Sequence, residues 1–83
     1  MWTYYRQDYP NGFWFLFRED EGRHEQVYHR QDGWMKTNEL MLREAKGEIT
    51  EGDRVSEQEA FDLIRSIGAD PDRHAPVTSG GGP

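Results

Sequence analysis

The sequence predicts an α+β fold: a three- or four-stranded antiparallel β-meander over residues 2–37, with a C-terminal amphipathic helix over 57–67 packed on one face. Three observations predict it. Eight of the eleven aromatics fall within the first 17 residues, and aromatic side chains favour a pleated, half-buried surface. Turn signals recur through the first half of the chain, at Tyr9-Pro10-Asn11-Gly12, Asp20-Glu21-Gly22-Arg23 and Gln31-Asp32-Gly33. From Ser56 onward the apolar residues recur at helical spacing instead.

The first strand covers Trp2 to Gln7, and the Pro-Asn-Gly sequence after it suits a reversal, since proline pre-sets one corner and Asn-Gly tolerates positive φ. The second strand, Phe13 to Glu19, carries the densest apolar run. Strand geometry sends Phe13, Phe15 and Phe17 to one face and Trp14 and Leu16 to the other. The third strand runs from His24 to Arg30, with Val27 and Tyr28 on opposite faces. Asp32-Gly33 is a hairpin signal, and Trp34 to Thr37 forms a short fourth strand. Residues 38–46 read as a short helix capped by Thr37 or Asn38 and ended by Gly47, although Leu40-Met41-Leu42 also fits an extended segment. Residues 47–54 are a polar connector anchored by Ile49.

The C-terminal helix is marked at both ends. Ser56-Glu57-Gln58-Glu59 is a capping box, with Val55 placed as a hydrophobic staple. Glu57 and Glu59 suit the positive end of the helix dipole. Ala60, Phe61, Leu63, Ile64 and Ile67 share one face. Gly68 and then Asp70-Pro71 end the helix. The domain therefore spans residues 1–68, and 69–83, which closes on Ser79-Gly80-Gly81-Gly82-Pro83, reads as a flexible tail.

Composition narrows the function. The chain has 83 residues, of which 34% are hydrophobic and 13% aromatic, with no cysteine. A domain of that length buries roughly 60% of the surface its unfolded chain exposes, so a few large rings must supply much of the core. The lack of cysteine removes thiolate metal sites and points to the cytoplasm. No signal peptide is expected, and the longest apolar run, Phe13 to Phe17, is far short of the ~20 residues that span a bilayer. The net charge is -6. It is uneven, being -1 over residues 1–36 and -5 over 37–83. Binding to a phosphate backbone is disfavoured by that balance.

The strands carry apolar side chains on both faces, whereas a sheet covered on one face alternates apolar with polar. A helix of about 11 residues reaches only ~16 Å and covers part of one face. Three arrangements account for the surplus. The short helix and connector can fold over the second face, using Leu40, Leu42 and Ile49. The second face can be a homodimer or partner interface. Or it can stack single-stranded nucleic acid, with Arg6, Arg18 and Arg30 near the backbone.

No catalytic or metal-binding pattern stands out. His24 and His29, five apart on one strand, point to opposite faces and do not share a metal with Glu25. His74 lies in the expected tail. The carboxylate pairs sit in loops and at a helix start, where they aid solubility and capping. The glycines match neither a phosphate loop nor a dinucleotide fingerprint. No cofactor and no enzymatic activity are expected. The sequence instead points to a protein-protein interaction or self-association module whose contact surface uses Trp2, Tyr4, Tyr5, Trp14 and Tyr28, with Arg6 and Arg18 at the rim. The alternatives are a single-strand binder, an acidic mimic of DNA, and a small enzyme with its site built between subunits.

Overall fold

The structure, a computed structural model, describes residues 1–22 and 24–75. Four strands follow one another as antiparallel neighbours: β1 (Thr3–Asp8), β2 (Trp14–Glu19), β3 (Glu25–His29) and β4 (Gly33–Lys36). The chain continues through α1 (Glu39–Ala45), a single 3-10 turn (Glu51–Asp53), β5 (Arg54–Val55) and α2 (Glu57–Ser66). The sheet order is β4-β3-β2-β1-β5. The expected meander with its C-terminal helix is present, and each strand boundary lies within one or two residues of the sequence reading. The fifth strand is an addition. Val55, read from the sequence as a staple, pairs with Tyr4 at the far edge of the sheet.

Local chemistry explains the turns. Gly12 donates its N–H to the Tyr9 carbonyl at 3.0 Å and has φ +83°, and Asn11 accepts from the Phe13 N–H. This is a three-residue hairpin loop with glycine in the left-handed position. At the next reversal Asp20 Oδ1 accepts from the backbone N–H groups of Gly22 and His24. The backbone bond from His24, followed by the His24 ring, holds the Asp20 carboxyl below its usual range.

The strand alternation divides the core in two. Tyr4, Leu16, Tyr28 and Trp34 project toward α2, where Ala60 and Ile64 meet them and Trp2, Trp14, Val55 and Phe61 pack around the margin. Tyr5, Phe17 and Val27 project to the other face, where Leu40 of α1 and Ile49 of the connector cover them beside Phe15. The first of the three arrangements for the aromatic surplus is therefore the one adopted. Leu42 departs from it, being 51% exposed. Two residues along a helix are about 200° apart around its axis, so Leu40 and Leu42 cannot both face the sheet.

The helix ends also differ in detail from the expected caps. Ser56 Oγ accepts from the Glu59 N–H at 3.0 Å, but the Glu59 carboxylate lies against Ser56 Oγ rather than the backbone. A reciprocal arrangement forms instead at the 3-10 turn, where Thr50 Oγ1 accepts from the Gly52 N–H and the Thr50 N–H donates to Asp53. At α1, Thr37 Oγ1 accepts from the Glu39 N–H, and Asn38 makes no side-chain cap.

The domain boundary moves. Residues 69–75, expected to begin a tail, run as a strap along β4. The Trp34 N–H donates to the Arg73 carbonyl at 2.9 Å, the Ala75 N–H donates to the Trp34 carbonyl at 3.0 Å, and Trp34 Nε1 donates to the Pro71 carbonyl at 2.9 Å. Tyr28 OH donates to the Asp70 carbonyl. Gly33 permits this approach: it has φ +85°, and a Cβ there would overlap the Arg73 backbone. The rest of the expected tail, 76–83, lies outside the described residues. Among the described residues no helix is long and apolar enough to cross a membrane.

Three buried tyrosines make stability sensitive to alkali. Burial raises the pKa of Tyr4, Tyr5 and Tyr28 above the usual value. Glu57 adds to the rise at Tyr4 against an opposing Arg18, and Glu19 adds to it at Tyr5. A neutral acid group whose folded pKa is raised keeps its proton longer in the folded state. Stability is then intact below the unfolded tyrosine value of about 10 and falls as pH rises above it. Chemical denaturation between neutral pH and pH ~11 is expected to show a plateau and then a decline, with tyrosinate absorbance appearing together with unfolding. A tyrosinate signal from these rings well before unfolding would contradict their burial.

Candidate functional site

The residues expected to form a contact surface are mostly core. Tyr4 is 2% exposed, Tyr5 6%, Tyr28 6% and Arg18 5%, while Trp2, Trp14 and Arg6 are half-buried. The structure brings Trp2, Tyr4, Trp14, Tyr28 and Arg18 together on the α2 face of the sheet. It separates Tyr5, which lies beneath α1 on the opposite face. Arg6 pairs with Asp8, Nε to Oδ1 at 2.9 Å, near the end of β1. The expected surface is thus corrected. Adjacent strand residues point to opposite faces, and each face has its own helix. Truncating Tyr4 would test packing, not contact with a partner.

Arg18 is the most unusual member of that group. Its guanidinium lies between two indoles, 4.1 Å from the Trp2 ring centre and 4.0 Å from that of Trp34. Nε donates to Gln26 Oε1 at 2.7 Å and Nη1 to Tyr4 OH at 3.4 Å, and Tyr4 OH donates in turn to Glu57. Among the described residues no carboxylate approaches it within 4.0 Å. Burial lowers its pKa, opposed by Tyr4 and by the charges of Glu57 and Asp72, but a guanidinium remains protonated in proteins. Arg18 is a packing element and not a rim residue.

The aromatic surface left open lies at the tip of the β1–β2 hairpin. Phe13 is 53% exposed. Its ring lies edge-to-face on Phe15 with centroids 5.1 Å apart, and Phe15 in turn meets Tyr9 at 5.6 Å and the buried Phe17 at 5.9 Å. A file of rings thus runs from the core out to solvent. α1 holds its middle in place. Arg43 Nη1 donates to Tyr9 OH and to Gln7 Oε1, both at 2.8 Å, and its guanidinium sits 5.1 Å from the Phe15 ring centre. Phe13 itself has no such side-chain support: its carbonyl accepts from the Tyr9 N–H at 2.8 Å and closes the hairpin loop, but β2 begins at Trp14. The sequence puts Phe13 on one face with Phe15 and Phe17, and its ring does stack on Phe15, but at the end of that face it stays exposed. Its position directly after a turn glycine was the available sign that it would sit outside the sheet.

Beside the tip the sheet is split. β2 pairs with β1 along its whole length, but with β3 only over Phe17–Glu19. Trp14, Phe15 and Leu16 have no register partner in β3, and a cleft of about 470 Å³ opens there, lined by Trp14, Phe15, Tyr28, His29, Arg30 and Ile67 among others. On the α1 side a second, wider hollow carries Glu19, Asp20, Glu25 and Glu44 with His24 and Lys36. Burial, and then the charges of Glu19, Glu25 and Glu51, raise the pKa of Glu44 above the usual carboxylate value. Among the described residues no group of three His, Cys, Asp or Glu side chains is placed to hold a metal ion. His24 is held by Asp20, with Nδ1 3.0 Å from Oδ2, while His29 lines the cleft.

No protein-family model, curated protein or solved structure matches this chain.

Proposed function

We propose that this chain is a small non-enzymatic interaction module that associates weakly with a second copy of itself through the Tyr9–Phe13–Phe15 tip of the β1–β2 hairpin. The observation that carries the reading is Phe13, a large ring more than half exposed yet backed by ordered rings. Exposed rings of this kind carry disproportionate contact energy. The large apolar residues exposed among those described are Met1, Phe13, Met41 and Leu42. Phe13 is the one of these at the tip, and an aromatic ring buries roughly 150–250 Å² against the roughly 800 Å² per partner of a standard stable interface, so the association is weak. Stacking of single-stranded nucleic acid is less well supported, because Arg18 is buried and Arg6 is paired with Asp8.

Light scattering over a concentration series tests the reading. The mass is expected to rise above the 9.8 kDa monomer as concentration increases. Phe13→Ser is expected to weaken the association by about tenfold or more, the effect of withholding a buried ring worth roughly 1.5–3 kcal/mol. Its fold should persist with a modestly lower melting temperature, since Phe13 lies outside the core and loses chiefly its edge-to-face contact with Phe15, worth about 0.5–1.5 kcal/mol. A constant monomer mass at every concentration, or unchanged association in Phe13→Ser, rejects self-association through this tip.

A further inference from the structure

The cleft between β2 and β3 has a composition that the rest of the molecule lacks. It cuts through the sheet, so its walls come from both faces: Trp14 and Tyr28 from the α2 side and Phe15 from the α1 side, with Ile67 closing the end beyond α2. Had the ladder continued in register, Leu16 would stand opposite Tyr28 and Phe15 opposite His29. The strands part instead after Phe17 and Val27. Aromatic walls around a narrow gap favour a planar ring, which can stack or meet them edge-on. At about 470 Å³ the cleft falls in the size range of small-molecule sites.

The rim charge sets the polarity of the ligand. The chain carries a net charge of -6, yet the cleft is lined by Arg30 and His29, with Asp32 the single carboxylate among its lining residues. Arg30 makes no ion pair among the described residues. Its fork of donors matches a carboxylate in two-point geometry, and an imidazole N–H can supply a further donor. We propose that this cleft is a binding site for a small planar aromatic carboxylate, whose ring enters between Trp14, Phe15 and Tyr28 and whose carboxylate meets Arg30. Asp32 opposes the anion and limits its affinity.

The test is a titration of the isotope-labelled full chain with indole-3-propionate, followed by amide shifts, with indole-3-propionamide as the uncharged counterpart. Saturable shifts are expected at residues 13–16, 28–32 and 67. The amide is expected to bind about tenfold more weakly, and so is the acid to Arg30→Gln, the scale of one charged hydrogen bond. Asp32→Asn is expected to tighten acid binding by about threefold, as for removal of one exposed like charge. Both substitutions lie in the β3–β4 loop. Phe13 and Phe15 line the cleft as well as the tip, so the titration is run at a protein concentration at which light scattering shows the monomer, which keeps its outcome separate from that of self-association. No saturable shifts, shifts confined to other surfaces, or equal binding of acid and amide would each overturn the proposal.

Discussion

Trp34→Ala is expected to lower stability by about 3–5 kcal/mol, the range for truncating a buried tryptophan. For a domain of this length the total is on the order of 4–12 kcal/mol, so the variant should lose roughly a quarter of it or more and unfold at a much lower urea concentration than the parent. Trp34 is 2% exposed and joins three parts of the molecule. Its ring meets Tyr28 at 5.2 Å and Tyr4 at 5.9 Å, both edge-on, and it receives the Arg18 guanidinium on its face. Its Nε1–H is bound to the Pro71 carbonyl. Alanine leaves the backbone bonds to Arg73 and Ala75 possible but removes the surface on which the strap rests. Trp34→Phe, which keeps a ring and loses the N–H, should cost about 2 kcal/mol, combining one unsatisfied buried carbonyl with a small loss of volume. Urea denaturation followed by circular dichroism measures both. A loss below about 1 kcal/mol for Trp34→Ala would show that the strap and this ring are not part of the cooperative core.

Arg18 offers the second large effect, and its size depends on the replacement. Arg18→Ala is expected to cost about 2–4 kcal/mol, because it empties the space between Trp2 and Trp34 and leaves Gln26 and Tyr4 without their donor. Arg18→Met fills most of that space and removes a charge whose burial is itself unfavourable. Two cation–π contacts are lost, but the relief of desolvation offsets much of that, so the net cost should be about 1 kcal/mol. Arg18→Lys keeps the charge and loses the planar surface that stacks between the indoles. It should therefore be less stable than the methionine variant. Denaturation midpoints ordered Arg, Met, Lys fit this account, whereas a lysine variant as stable as the parent would mean that charge, not stacking, holds Trp2 and Trp34 together.

The features legible in the sequence are those that neighbouring residues decide. Alternation in Phe13–Glu19, the Pro10-Asn11-Gly12 turn and the Ser56 cap each act over a few positions, and all appear in the fold. The functional reading was less legible for a related reason. Tyr4, Tyr5 and Tyr28 have the residue types of a contact surface, but the same types make a core. Exposure separates the two, and exposure depends on which helix lies above each face. Phe13 has the residue type and spacing of a strand phenylalanine, yet its place at the mouth of the hairpin loop leaves it exposed.

The sequence by itself determined the class of fold, with a meander as its simplest strand arrangement, the C-terminal helix and the absence of cysteine chemistry. The tertiary structure decided that α1 and Ile49 cover the second face, that Arg54–Val55 pairs with β1, that Arg18 is interior, and that residues 69–75 belong to the domain. The physical reason is separation along the chain. Tyr28 bonds to Asp70 and Trp34 to Pro71 across 42 and 37 positions, through backbone carbonyls that are the same in every residue. A polar run such as Asp70-Pro71-Asp72-Arg73 gives no periodic sign of such contacts. What holds it in place is the Trp34 indole and the close approach that Gly33 permits.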